Sequence, residues 1–512
     1  MTDEMRRYAP VVACLLVALA ARLDSAVTLP RLFSDHMVLQ QNGPVRIWGK
    51  AGPGEAVRVR FRDQAVSTRA DRDGRWEVFL RPMKPGPAAP LRIEADNTVT
   101  FQDVLVGEVW VASGQSNMVW PVERSANAEQ EIAQADHPEI RLFKVTLKTA
   151  AEPLDDVEGA WQVSRPETTR SFSAVAYFFA RHLKQHLGVP VGIIQSAWGG
   201  TPAEAWTSLE ALKADPALQF YLEAWDRVLA DYPSERLRFE EAVRDWEQAA
   251  QAANSRGETP PPKPREPRGP GHPHAPATLY NAMIAPLVPY TVRGAIWYQG
   301  ESNAGSNQAY LYRRLFETMI RDWRRRWAQG AFPFLFVQLA NFAKTGPQTN
   351  WPELRESQAC ALQLRDTAMA VALDIGDPQD IHPANKQEVG RRLALAARAV
   401  VYGEKIVYSG PVFRRLTRED GRLRLWFDST GGGLKARGAG LKGFVIAGAD
   451  RIFKPAQATI EGETVVVTSP EVAAPVAVRY GWGDDPENNL INAEGLPALP
   501  FRTDDWRNAR MP

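Results

Sequence analysis

The sequence predicts an α/β protein in which a doubly wound parallel-sheet domain is flanked by two all-β, sandwich-like domains. Three observations carry that prediction. Apolar strand candidates alternate with amphipathic helices through the middle of the chain, period-two segments broken by glycine and aspartate turns come before them, and the same alternation returns afterwards. At 512 residues the chain exceeds one ordinary core, with about 150 residues as the usual domain size.

In chain order, residues 1–26 stand apart. Arg6 and Arg7 precede the apolar run VVACLLVALAA at 11–21, and a short LDSAV junction follows, which reads as a secretory signal peptide cleaved near Ala26. The run is too short for a membrane span, which needs about 20 residues, and no comparable run follows. Cys14 has too little apolar sequence before it for a lipoprotein site. The mature protein is therefore expected to be exported, periplasmic or secreted, without a membrane partner.

Residues 27–103 carry VRIWG and AVRVRF between AGPGE and DRDGRW turns, an antiparallel pattern. Residues 104–405 change rhythm: EVWVA, VGIIQS, GAIWYQ, FLFVQL and AVALD (370–374) are separated by helices such as 173–187, 309–327 and 386–402. Buried apolar strands joined by helices imply a parallel sheet, whose ligands bind beyond the carboxyl ends of the strands. Within this domain 212–276 form an insertion, first a charged, alanine-rich helix and then ETPPPKPREPRGPGHPHAP, whose prolines require an extended loop across the surface, expected as a solvated excursion with a lid or substrate wall as the alternative. From 406 to 512, RLRLWF, GFVIAG, ATIEGETVVVTS and VAVRYGW restore the all-β pattern.

Composition narrows the functional classes. With 61 basic and 60 acidic residues the net charge is +1, which gives no support to a nucleic-acid partner. Of two cysteines, Cys14 and Cys360, only the second survives signal removal, so the exported protein rests on its apolar core. No Cys/His spacing suggests zinc, and no cofactor is expected.

The stretch WVASGQSNMVW delivers Ser116 from a strand into a small turn. Serine suits turns without doing chemistry; as a nucleophile it needs a base, a group that orients the base, and donors for an oxyanion. Seven histidines are available. His36 lies in the N-terminal sheet, His137 in a loop, His182 and His186 four apart on a helix without a third ligand, and His272 and His274 in the proline-rich loop. His382 alone follows a parallel strand through an acidic turn, with Asp374, Asp377 and Asp380 close by; Asp380 is the nearest carboxylate and Asp377 its competitor. QSAWGGTPAEAW offers Gly199 or Gly200 for close approach of a carbonyl. IWYQGESNA places Gln299, Glu301 and Asn303 at another strand end. Trp198 and Trp206, in loop sequence, suit a sugar platform, whereas Trp297 is expected to be buried.

Taken together, these blocks resemble the SGNH or GDSL-like hydrolase superfamily. More narrowly, GQSNM, SAWGGTPAEAW, WYQGESNA and DIGDPQDIHPANK look like the four blocks of the sialate O-acetylesterase family. The resemblance extends through LPRLFSDHMVLQ, LYNAMIAPL, GLKARGAGLKGFVIAGAD and EGLPALPFRTDDW over essentially the whole mature chain. It implies Ser116 as nucleophile and His382 as general base; Asp380 is placed behind the histidine by its nearness in sequence and not by the resemblance. The implied oxyanion donors are the Ser116 N–H, Gly200 and Gln299, with Asn303 as the alternative amide. Substrate contact is implied for Gln115, Asn117, Trp198, Gly199, Glu301 and Asn303. Two departures stand out: QGESN replaces the usual G-x-N-D block, and Gln379 occupies the place three before the histidine where an aspartate is usual. A Ser–His dyad helped by a backbone carbonyl is the corresponding alternative. The implied activity is hydrolysis of acetyl esters on a carbohydrate, either sialic acid or a plant polysaccharide such as xylan or xyloglucan. The rival of another class is a carbohydrate-binding protein with a disabled hydrolase domain. An α/β-hydrolase is disfavoured, because GQSNM lacks the second glycine of G-x-S-x-G.

Overall fold

A computed structural model describes residues 26–305, 307–346 and 348–506. The expected signal peptide at 1–26 lies, up to residue 25, outside the described residues.

The central layer is a sheet whose strands, in chain order, are β1 (Thr98–Gly114), β2 (His137–Lys144), β3 (Trp161–Ser164), β4 (Val191–Ala197), β5 (Gly294–Tyr298), β6 (Phe334–Val337) and β7 (Thr367–Ala370). Spatially they run β7-β6-β5-β1-β4-β2-β3. All neighbours are parallel except the edge strand β3, which is antiparallel to β2. Three flanking helices, α1 (Ala174–Leu187), α2 (Tyr312–Trp327) and α3 (Lys386–Val400), start within three residues of where the sequence places them.

Two strand readings change. His137 begins β2 instead of lying in a loop: its partner β4 buries Ile140, Leu142 and Phe143, although HPEIRLFK shows only a short apolar run. The last strand ends at Ala370, where AVALD begins; Val371–Leu373 are buried but already leave the ladder.

The chain also crosses the 103/104 boundary without a break. The first half of β1 pairs antiparallel with Ala89–Glu94, and its second half enters the parallel sheet between β4 and β5. N-terminal residues such as Val57, Val59 and Trp76 share one apolar core with the α/β layer. Beyond residue 411, two four-stranded antiparallel sheets face each other over a separate core of Leu423, Leu425, Val465 and Val467 against Phe444, Ile446, Val478 and Tyr480. Charged side chains alternate outward, as a sandwich requires.

The insertion is helical from Gln219 to Ser255, through Pro233, and the proline-rich segment then returns along the same helix. The Trp246 indole N–H donates to Pro261 O at 2.7 Å, Arg236 pairs with Glu266 at 2.7 Å, and Gly269 lies so close to the Tyr232 ring that a Cβ would collide. Near the base, the Trp225 and His272 rings are 6.4 Å apart. The lengths agree: twenty-one helical residues rise about 31 Å at 1.5 Å each, and eleven residues of polyproline geometry about 34 Å at 3.1 Å each. The segment is extended, as its prolines require, but it is a strap on its own helix and not a free excursion.

Candidate active site

Four segments meet beyond the carboxyl ends of the parallel strands. Ser116 follows central β1, the WGG turn follows β4, QGESN follows β5, and the loop after β7 carries His382. The turn after β1 needs its glycine: Gly114 has φ +137°, and a Cβ there would lie 2.1 Å from Tyr298 O. Gln115 then donates its N–H to that same carbonyl at 3.0 Å, and Ser116 opens a one-turn helix.

Ser116 Oγ and His382 Nε2 are 2.8 Å apart, across 266 residues of sequence. On the far side, Asp380 Oδ1 lies 3.5 Å from His382 Nδ1 and also accepts the His382 backbone N–H at 2.9 Å; its side chain is 55% exposed. Asp377 is directed elsewhere, its Oδ1 accepting the N–H groups of Gln379 and Asp380 within the turn. Asp374 pairs with Arg392 and Arg437. The imidazole stacks on Trp120 at 4.8 Å and 15°, and the Arg124 guanidinium covers the same indole at 3.9 Å. Burial holds the His382 pKa below its ordinary value; Lys386 adds to that effect and Asp380 opposes it.

Three backbone donors stand open. Among the described residues, no acceptor takes the N–H of Ser116, Gly199 or Gly200. Gly199 is the closer glycine: a Cβ on it would stand 3.5 Å from Ser116 Cβ, whereas Gly200 faces open space with φ +73°.

Several site expectations are corrected here. Gln299 is fully buried, its amide donates to Asn303 Oδ1 at 2.7 Å and Thr201 O at 3.3 Å, and its oxygen accepts the Tyr312 hydroxyl at 2.9 Å. It has no N–H left for an oxyanion. Asn303 is buried too, accepting the Ala203 N–H and donating to Glu204, whose carboxyl burial pushes up to about 7. Both amides therefore brace the turn that carries Gly199 and Gly200. Gln115 and Asn117 are buried, and Gln115 Oε1 accepts the Ser302 N–H at 3.2 Å. The Asn117 amide donates to Glu301 Oε1 at 2.6 Å and Ile381 O at 3.0 Å and accepts from Lys386. Asn117 and Glu301 thus hold each other through one short hydrogen bond. Trp206 is fully buried, edge-on to Trp297, which excludes it as a sugar platform; Trp198 stays half-buried at the turn.

Trp120, Arg124 and Lys386 surround His382 without any mark in the sequence that pairs them with it. The signal for two of them lay in the blocks themselves, at the ends of WVASGQSNMVW and IHPANK, but their convergence is tertiary.

Residues 106–251 and 271–399 match the model of a family described as carbohydrate esterase, sialic acid-specific acetylesterase. The chain belongs to this family. Sialate O-acetylesterase from Mus musculus is 33% identical over 91% of this chain and 92% of its own length. The Homo sapiens sialate O-acetylesterase is 33% identical over 74% and 72%. The crystal structure of a carbohydrate acetylesterase from Xanthomonas citri is 40% identical and superimposes with a TM-score of 0.81, covering 94% of this chain and 100% of that one. As a member of the sialic acid-specific acetylesterase family the protein is a carbohydrate esterase, and the unmatched gap at 252–270 falls on the strap.

Proposed function

We propose that this esterase hydrolyses O-acetyl esters on carbohydrates through an acyl-enzyme on Ser116, on an SGNH-type catalytic layer. The observation that carries the reading is the 2.8 Å contact from Ser116 Oγ to His382 Nε2, beside the open N–H groups of Ser116 and Gly199. His382 takes the Ser116 proton as Oγ attacks the acetyl carbonyl, the two N–H groups receive the developing oxyanion, and the protonated imidazole returns the proton to the departing sugar hydroxyl. Water activated by the same imidazole then releases acetate. In this reading the sugar lies against Trp198, in the turn after β4, and the base of the strap, where His274 lies beside the Gly200 backbone. The basic and apolar segment at 1–26 serves, in this reading, to export the enzyme.

Acetate release from O-acetylated sialic acids, acetylxylan oligosaccharides and acetylated xyloglucan fragments tests the function. Release from at least one is expected, abolished in Ser116→Ala; binding without release from any would favour the non-catalytic alternative.

Asp380 acts here as an exposed helper. A buried triad carboxylate is worth about 10⁴ in turnover, whereas the 3.5 Å separation and half-exposed side chain of Asp380 point to less. Asp380→Asn is expected to lower kcat by roughly 10- to 100-fold, and Asp377→Asn, which keeps an oxygen for the turn, to leave it near the parent value. The reverse pattern in steady-state assays would move the orienting role to Asp377.

A further inference from the structure

We propose that Lys386 is a positioning residue for His382: acting through Asn117 and Glu301, it clamps together the three segments that carry the site and keeps a positive charge behind the imidazole. The inference rests on the assignment of Ser116 and His382 above.

The geometry centres on Asn117. The residue is 2% exposed and sits directly after the serine. Its NH2 donates to the carboxylate of Glu301, in the block after β5, and to the carbonyl of Ile381, the residue before the histidine. Its oxygen accepts a hydrogen bond from the Lys386 ammonium, which enters from the first turn of α3. An amide that gives its N–H to a carboxylate and its C=O to an ammonium is polarised by both. The serine turn, the QGESN block and both ends of the IHPANK segment are thereby joined at one side chain. No atom of Lys386 is exposed, and its ammonium lies over the rings of Tyr298 at 5.4 Å and Trp120 at 5.9 Å. Trp120 is the surface on which His382 stacks.

A buried lysine is costly unless it is paired, so one beside a general base calls for a cause. Burial brings the Lys386 pKa down to about 7, opposed by Glu301 and Asp380. The groups facing His382 are Lys386 and Arg124, which disfavour the imidazolium, and Asp380, which favours it. A base must be unprotonated before it can act. Lys386 therefore serves catalysis twice, through the angle of the loop and through the protonation state of His382.

Removing the ammonium removes a like charge, so the His382 pKa rises and the acidic limb of kcat/KM moves to higher pH. In the mature full-length enzyme assayed with 4-nitrophenyl acetate, Lys386→Met is expected to lose at least about tenfold in kcat/KM at pH near 6 and less than about threefold near pH 8. Lys386→Gln, which keeps an N–H for Asn117 without the charge, should shift the limb in the same direction and carries the test if the methionine variant does not fold. A loss equal at every pH, or an unmoved limb in the folded glutamine variant, would overturn the proposal. That outcome leaves Ser116→Ala inactive, whereas failure of the underlying assignment shows as an active Ser116→Ala.

Discussion

Replacing Ser116 by alanine is expected to reduce acetate release by about 10⁴- to 10⁶-fold while the melting temperature stays within a degree or so of the parent. The range is that of a nucleophile removed from a preorganised hydrolase, in which the oxyanion donors and substrate contacts still act on attack by water. Among the described residues the Ser116 side chain makes no hydrogen bond except that to His382, so its loss leaves no buried group there unsatisfied. His382→Ala should fall into the same range, and the double variant should be no worse than either single one, because the two act as a unit. A coupled acetate assay on the three variants, with thermal unfolding alongside, decides the matter. Residual activity of a tenth or more in Ser116→Ala would remove the serine from the mechanism. Full additivity of the two losses would remove the partnership.

The parts of this site that were legible in the sequence are those fixed by chain direction. A parallel strand ends at a known face, so Ser116, the WGG turn, QGESN and His382 were each assignable to it from the apolar run that precedes them. The same rule selects one histidine from seven. What could not be read was where amides point. Gln299 and Asn303 sit at a strand end, as expected of oxyanion donors, but their orientation is set by Thr201, Ala203 and Glu204, about a hundred residues away in sequence. Asn117 meets Ile381 across 264 residues and Lys386 across 269. No local pattern encodes such pairs. Trp206 misled for a related reason: a tryptophan in loop sequence reads as exposed, yet the loop is folded inward and its indole N–H is satisfied by Thr201 Oγ1 at 2.9 Å. β2 is not marked by the sequence because it has only three apolar residues, Ile140, Leu142 and Phe143, interrupted by an arginine whose charge has no partner nearby in sequence; Arg141 finds Asp103 and the His36 carbonyl instead.

Arg355→Met is expected to destabilise the protein by about 3–5 kcal/mol, the cost of emptying a buried charged node of its donor. Arg355 is wholly inaccessible. Its guanidinium donates to Leu339 O at 2.9 Å and Ala340 O at 2.8 Å after β6, and to Gly483 O at 2.6 Å and Asp484 O at 2.8 Å in the C-terminal sandwich. A methionine fills much of the volume and satisfies none of the four carbonyls, so the penalty is one of desolvated acceptors more than of a cavity. Because the sandwich has its own core, the loss should appear first as loosening of that unit: a lower urea midpoint, with new cleavage sites beyond residue 411 in limited proteolysis. It should also reach the site. Asn341 donates to Asp485 at 2.6 Å and accepts the Gly376 N–H at 2.9 Å, and Ala343 N–H bonds Pro378 O at 3.1 Å, so the 483–485 segment steadies the loop that ends in His382. The variant is therefore expected to lose kcat at temperatures well below its unfolding midpoint, with Ser116 and His382 both intact. Parent-like kcat up to the unfolding transition would mean that the sandwich braces the fold without steadying the histidine loop.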